Sequence, residues 1–280
     1  MSILQYSVRD RLLYFIRTRE AARHNKEVVG GPGPHVEDCI IGTSRFCNVN
    51  REHDAVTIWV KDWVRDVYAP HGMNVLVPQV LAARIFNEPK TLTAILPVVD
   101  VGDAVATLKA MRAEGQKIMR GAYMMPVHGS HGGGKTVEEY YLAAVGEALK
   151  VDWTLCESLA SVAERLIQLM GIGDFLANQV CADLRYTKPW ETAPDWDEFV
   201  LCGPGSRRGI DRYDKQERLG VKPQAHYGQR VLEIREEIWP DIDDEEVHQA
   251  LRDPNNLSNC FCEFDKFERA LRGEATLRRY

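Results

Sequence analysis

Arginine, asparagine and carboxylate side chains recur at helical spacing in Arg45-Phe46-Cys47-Asn48-Val49-Asn50-Arg51-Glu52-His53-Asp54. On a helix, Arg45, Asn48 and Glu52 at i, i+3 and i+7 share one face, and Arg51 with Asp54 forms a neighbouring i, i+3 pair. A guanidinium offers a rigid donor fork to anionic oxygens, an amide can donate to a developing negative charge, and a carboxylate can accept a proton. Gln179 and Asp183 make a second pair, four residues apart on one helix face. The same stripes would also suit a solvated helix face laced with ion pairs.

Two glycine-rich stretches could approach phosphate. Gly203-Pro204-Gly205, followed by Arg207, Arg208 and Gly209, suits backbone contact with phosphate flanked by two fixed charges, or else a surface turn. Gly129-Ser130-His131-Gly132-Gly133-Gly134-Lys135-Thr136 satisfies the P-loop pattern. That loop cradles phosphate only between a core strand and a helix, and Pro126 makes the preceding Met124–His128 a poor central strand. The stretch therefore reads as a flexible loop at a site's rim, with Lys135 within reach of DNA. His71, His128 and His131 form no recognisable ligand set with a nearby carboxylate, so no required metal is expected. The seven cysteines are scattered, and Cys260-Phe261-Cys262 lacks the usual zinc spacing, so reduced, mostly buried thiols are expected.

The elements that must position these groups are helices. Apolar residues recur at three- and four-residue steps over 1–28, Ser44–Tyr68, Val75–Phe86, Val101–Glu114, 136–149, 157–170, 174–186, 229–238 and 257–272. Residues 187–228, rich in Pro, Gly and aromatics, read as looser. Strand-like alternation is scarce, so a mainly α fold is expected, one helical catalytic unit over 1–280 that could form two packed lobes meeting at a cleft. With 280 residues, a net charge of −6 and 45% apolar residues, the chain has an ordinary core and no global basic footprint. No apolar run approaches membrane-spanning length and no secretion signal opens the chain, so a cytoplasmic protein without a membrane partner is expected.

A hairpin lies near residues 158–186. The amphipathic run Ser158 to Met170 stops at Gly171-Ile172-Gly173, and a second helix begins at once. The glycines permit positive φ and close approach of another backbone, and the free amides of the new helix could face a phosphate. An ordinary αα corner with a glycine cap would look the same. The spacing resembles the helix-hairpin-helix of the DNA-glycosylase superfamily, which implies a DNA-glycosylase-like helical fold with Gly171 and Gly173 at DNA. Phe175 stands where lyase-type glycosylases carry their Schiff-base lysine, so a lyase mechanism is not expected.

Six blocks, in order, resemble a further family. They are Arg45–Asp54, Ala82-Ala83-Arg84-Ile85-Phe86-Asn87, Gly121-Ala122-Tyr123-Met124, the stretch from Phe175 to Tyr186, the stretch from Phe199 to Ile210, and Asn259-Cys260-Phe261-Cys262-Glu263-Phe264-Asp265-Lys266-Phe267. Together they resemble the amino acid:DNA transferases, also called α-glutamyl/putrescinyl-thymine pyrophosphorylases, which are similar to the helical domain linked to 5-hydroxymethyluracil DNA kinases.

The resemblance implies a phage-type DNA hypermodification enzyme in an infected bacterial host, acting after a DNA kinase. Its partner would be double-stranded DNA carrying 5-(pyrophosphoryloxymethyl)uracil, and its co-substrate an amino acid or polyamine. The amine nitrogen would bond to the exocyclic carbon as the carbon–oxygen bond breaks, pyrophosphate leaving with the electron pair. Arg45, Arg51, Arg207, Arg208 and Lys266 would bind pyrophosphate, and Gly203, Gly205 and Lys135 would contact DNA. Asn48 and Gln179 would steady charge on the ring, while Glu52 or Asp183 takes the ammonium proton. Asp183 is the preferred carboxylate; Asp195 and Asp197, near the position of the glycosylases' catalytic Asp, compete with it. No cofactor is required, although a divalent ion could accompany pyrophosphate. A DNA glycosylase, a P-loop DNA or nucleotide kinase and a non-catalytic DNA-binding module are the other readings.

Overall fold

The computed structural model describes residues 3–30, 36–120, 136–275 and 277, and among these every regular element is helical. The predicted mainly α fold class is therefore observed. No described helix is long and apolar enough to cross a membrane. The chain divides into two compact units, Met1–Asp54 with Asp197–Tyr280, and Ala55–Trp196. The Gly121–Met124 block and the P-loop-like stretch up to Lys135 lie outside the described residues.

The first unit opens with α1 (Val8–Val29), whose Ser7 cap accepts from the Asp10 amide. Leu12, Leu13, Phe15 and Ile16 form its buried stripe, as their spacing predicts. The expected continuous helix from Ser44 to Tyr68 does not form. Residues 45–48 are irregular, Arg51–His53 is a single 3₁₀ turn, and helix begins only at α2 (Ala55–Val60). Side chains hold the backbone there in other shapes. Asn50 accepts from the Glu52 amide, Asp54 Oδ1 accepts from the Asn48 amide at 3.0 Å, and Asn48 Nδ2 donates to the His53 carbonyl at 2.9 Å. Arg45, Asn48 and Glu52 therefore do not share a helix face.

In the second unit α2 runs on through a π-helical turn, Lys61–Arg65, into α3 (Asp66–Tyr68). There follow α4 (Met73–Phe86), α5 (Pro89–Ile95), α6 (Val101–Ala113), α7 (Val137–Ala148), α8 (Leu159–Ile167) and α9 (Asp174–Leu184). Helix α4 is the hub, packing on α7 and α9 with every residue from Leu76 to Phe86 buried. Thr136, last residue of the P-loop-like pattern, caps α7 in a reciprocal box with Glu139, whose carboxylate accepts from the Thr136 amide at 2.8 Å.

Returning to the first unit, the chain forms α10 (Pro204–Tyr213), α11 (Gln224–Ile238), α12 (Glu245–Arg252) and α13 (Pro254–Leu271). The expected looseness of 187–228 holds over 187–203 and 214–223 but is corrected between and after them, where α10 and the start of α11 form; Pro204 at a helix start favours α10 rather than breaking it. Helix α13 is this unit's hub, meeting α1, α10, α11 and α12 through Phe261, Phe264 and Phe267. Arg11 on α1 reaches Glu268 on α13 with a two-pronged bond of 2.6 and 3.0 Å. Burial opposes ionisation of Glu268, but Arg11 and Arg272 hold its carboxyl below the usual range.

Candidate functional site

In the second unit the polar residues of the family-like blocks gather around Asp183. This carboxylate is 1% exposed on α9 and takes a fork from Arg84 on α4, Nε at 2.5 Å and Nη2 at 2.6 Å. Arg84 also reaches the Thr57 hydroxyl at 3.2 Å, and Arg65 of the π turn stands 3.8 Å from Asp183 with its guanidinium over the Tyr186 ring. Gln179 is buried one turn earlier on α9. A carboxylate so enclosed and doubly bonded holds α9 to α4; it is poorly placed to take a proton from an incoming amine.

Asp195 accepts from the Leu159 and Ala160 amides at 3.0 and 2.8 Å, so it caps α8. Asp197 is exposed, its carboxylate 3.9 Å from Arg252. In the hairpin between α8 and α9, Gly171 adopts φ +73° and Ile172 is buried, the plug its position predicts. Gly173 is the N-cap of α9 and lies open to added bulk.

In the first unit three blocks converge. Arg51 pairs with Asp54 at 2.7 Å, and its backbone amide donates to Asn256 at the start of α13. The Cys47 amide donates to Glu263 at 3.3 Å, and Glu263 holds Lys266 at 2.5 Å. Arg208 and Arg212 of α10 grip Asp265, at 3.0 and 2.7 Å, which is wholly buried on α13. Burial pushes the Cys47 thiol up to about 12, with Arg51 and Lys266 opposing and Glu263 and Asp54 adding to the rise. Burial likewise raises Cys262, and there Lys266, Arg208 and Arg51 all pull the other way. Burial works against the Lys266 ammonium, yet Glu263 keeps its pKa above the usual value.

Three of the five predicted anion-binding residues, Arg51, Arg208 and Lys266, thus all act electrostatically on the Cys262 thiol, and two of them on Cys47; Asp54 and Glu263 hold Arg51 and Lys266, while Arg208 shares Asp265 with Arg212. The other two do not join them. Arg45 is exposed, while Arg207 bonds the Cys202 carbonyl at 2.8 Å and Gln224 at 2.6 Å with its guanidinium over Tyr227. Asn48 has both ends of its amide engaged, since Arg19 donates to its Oδ1 at 2.6 Å. Glu52 is half-buried in the 3₁₀ turn beside Arg51.

The 203–209 glycines are corrected from a phosphate-cradling loop to a packing surface. A Cβ on Gly209 would lie 2.1 Å from the Phe261 carbonyl oxygen, and one on Gly205 would lie 2.4 Å from Cys262 Sγ. They let α10 lie directly on α13, and Gly203 serves as the N-cap of α10. Sequence reasoning missed Arg65 altogether and gave Arg84 no role. The available signal was a lone arginine in the apolar run Val80–Phe86, where only a buried partner makes a charge tolerable.

The family described as "5-hmdU DNA kinase, helical domain" matches residues 6–276, which takes in every one of these blocks. The chain belongs to this family. It is also similar to a 5-hmdU DNA kinase of Bacillus phage SP10, at 26% identity over 226 residues, 71% of this chain and 35% of the relative. The chain thus spans about a third of that kinase's length. No solved structure matches. The family ties the chain to a helical domain of phage enzymes of modified-thymine DNA.

Proposed function

We propose that the chain is an amino acid:DNA transferase, replacing the pyrophosphate of 5-(pyrophosphoryloxymethyl)uracil in phage DNA with the amine of an amino acid or polyamine. The observation that carries this is that Arg51, Arg208 and Lys266, from three separate segments, are all held against α13, through Asn256, Asp265 and Glu263, and all act on the Cys262 thiol. Such a cluster suits a multiply charged leaving group, which each cation can bind by turning from its carboxylate partner.

Glu52, half-buried beside Arg51, takes the proton of the incoming ammonium, which frees the nitrogen lone pair to attack. Asp183 and Gln179 support the helix scaffold rather than the reacting atoms. The hairpin amides at Gly171 and Gly173 contact the DNA backbone. The DNA reaches the chain already hydroxymethylated and phosphorylated, a product of kinase chemistry upstream.

Duplex DNA bearing the pyrophosphorylated base is incubated with amino acids and polyamines, digested to nucleosides and weighed by mass spectrometry. An amine adduct with release of pyrophosphate is expected. Abasic sites would indicate a glycosylase, and ATP-dependent phosphate gain a kinase. Unchanged DNA that the chain nonetheless binds would leave only a DNA-binding module.

A further inference from the structure

Beside α1 the first unit holds a cavity of about 360 Å³, floored by Leu13, Ile16 and Val247 and edged by Glu20, Arg23 and Glu246. His53, last residue of the 3₁₀ turn in the Arg45–Asp54 block, brings Nε2 to 3.5 Å from Glu246 Oε1. One donor atom each from Glu20, His53 and Glu246 lies within 4.8 Å of the others. An ion about 2.0–2.2 Å from nitrogen and oxygen ligands sets neighbouring donors roughly 3–3.5 Å apart, so small side-chain rotations close this set.

The charge count favours a cation. Arg23 is shared by three carboxylates: Glu20, Glu27 at 2.7 Å and Glu246 at 2.6 Å. One guanidinium among three carboxylates leaves two negative charges in this group. Arg19, one residue before Glu20, bonds the Phe46 and Cys47 carbonyls and Asn48 and so offsets one of them; the other neighbouring charges do not cancel the remainder. Arg17 pairs with Asp243 at 3.1 Å, and Asp244 caps α12 by accepting from the Glu246 and Val247 amides. Arg23 meets Glu20 through Oε1 and Glu246 through Oε2, whereas His53 faces Glu246 Oε1, so the guanidinium and the ion use different oxygens of Glu246.

We infer that Glu20, His53 and Glu246 bind one divalent cation, of the manganese or zinc class that accepts mixed imidazole and carboxylate ligands. Three protein ligands leave coordination positions open, and the adjoining cavity admits a small oxygen-bearing ligand to them. The site rests on this geometry alone and not on the transferase reading.

The full chain, stripped with chelator and dialysed, is titrated with MnCl₂ and separately with ZnCl₂ by calorimetry, and Mn²⁺ binding is repeated by electron paramagnetic resonance. Saturable binding of one equivalent is expected. His53→Ala and Glu246→Gln should each weaken it by at least about tenfold, the loss expected on removing one ligand. Glu246 is a surface side chain, 52% exposed, so its variant keeps the fold, as an unchanged thermal midpoint verifies. Asp243→Asn, on the cavity wall outside the triad, should bind as wild type. Absence of saturable binding by either ion, or wild-type affinity in the His53 and Glu246 variants, overturns the assignment. Ion binding without amine transfer leaves the site standing and removes only the proposed reaction.

Discussion

Replacing Asp183 with Asn tests whether this carboxylate holds the second unit together or takes protons. The substitution keeps the shape but removes the charge facing Arg84 and Arg65, at a position only 1% exposed. Breaking a buried ion pair from one side costs about 3–5 kcal/mol, because the remaining guanidinium keeps its desolvation penalty without its partner. At about 2–4 °C per kcal/mol for a chain of this size, the thermal midpoint should fall by about 10 °C. Calorimetry or circular dichroism of the purified variant measures it. Arg84→Met with Asp183→Leu, which removes the directly bonded pair but leaves Arg65 facing the lost carboxylate, should recover part of the loss, a coupling that the direct pair produces. A variant that melts like wild type but has lost turnover would refute the argument and return Asp183 to the role of base.

The remaining tests address the first unit and the caps. Gly209→Ala should destabilise by about 1–3 kcal/mol in a denaturant titration, because its Cβ meets the Phe261 backbone at 2.1 Å. Gly205→Ala should cost less, since Cys262 Sγ can turn away. Asp195→Ala should remove about 1 kcal/mol by uncapping α8, with turnover retained at temperatures where the variant stays folded. In a Cys39→Ser background, DTNB at pH 8 should react slowly with the half-exposed Cys47 and Cys262, whose thiols desolvation keeps protonated, and with the four buried thiols only once the chain is unfolded. Unfolded thiols ionise near pH 8.5, so the folded state binds more protons above that point. This contribution to stability is therefore present at neutral pH and is lost as pH rises through about 9 to 12.

The helices were legible where apolar residues recur at three- and four-residue steps over several turns. Helices α1, α4, α6, α7, α8, α9 and α13 follow the three- and four-residue spacing, and Ile172 plugs the hairpin as its place between two glycines predicts. Helix α10 was hidden because Pro and Gly dominate its start, residues that read as loop unless α13 is known to press against them. Helices α5 and α12 are short, 7 and 8 residues, too brief for a period to stand out. The site was less legible. Arg84 and Asp183 lie 99 residues apart in the chain, and Glu20, His53 and Glu246 lie on three separate segments. Spacing along one segment cannot reveal donors that only the fold brings together.

The Arg45–Asp54 block shows why periodicity failed where the chemistry is proposed. Its polar residues include Asn48, Asn50 and Asp54, each with a short side chain able to satisfy a backbone group directly, and all three do so. Those bonds replace helical ones and fold the segment into a clip that Arg19 fastens to α1. The residues between the clip's bonds, Arg51, Glu52 and His53, are then placed by the clip and not by a helix. Arg51 joins the charges around Cys47, and His53 joins Glu20 and Glu246. One short segment thus contributes to both of the proposed groups. Substituting Asn48 should disturb both the Arg51 cluster and the cation site, whereas substituting Glu52 should alter turnover alone. If Asn48→Ala left both cation affinity and turnover unchanged, the clip would not be what positions either group.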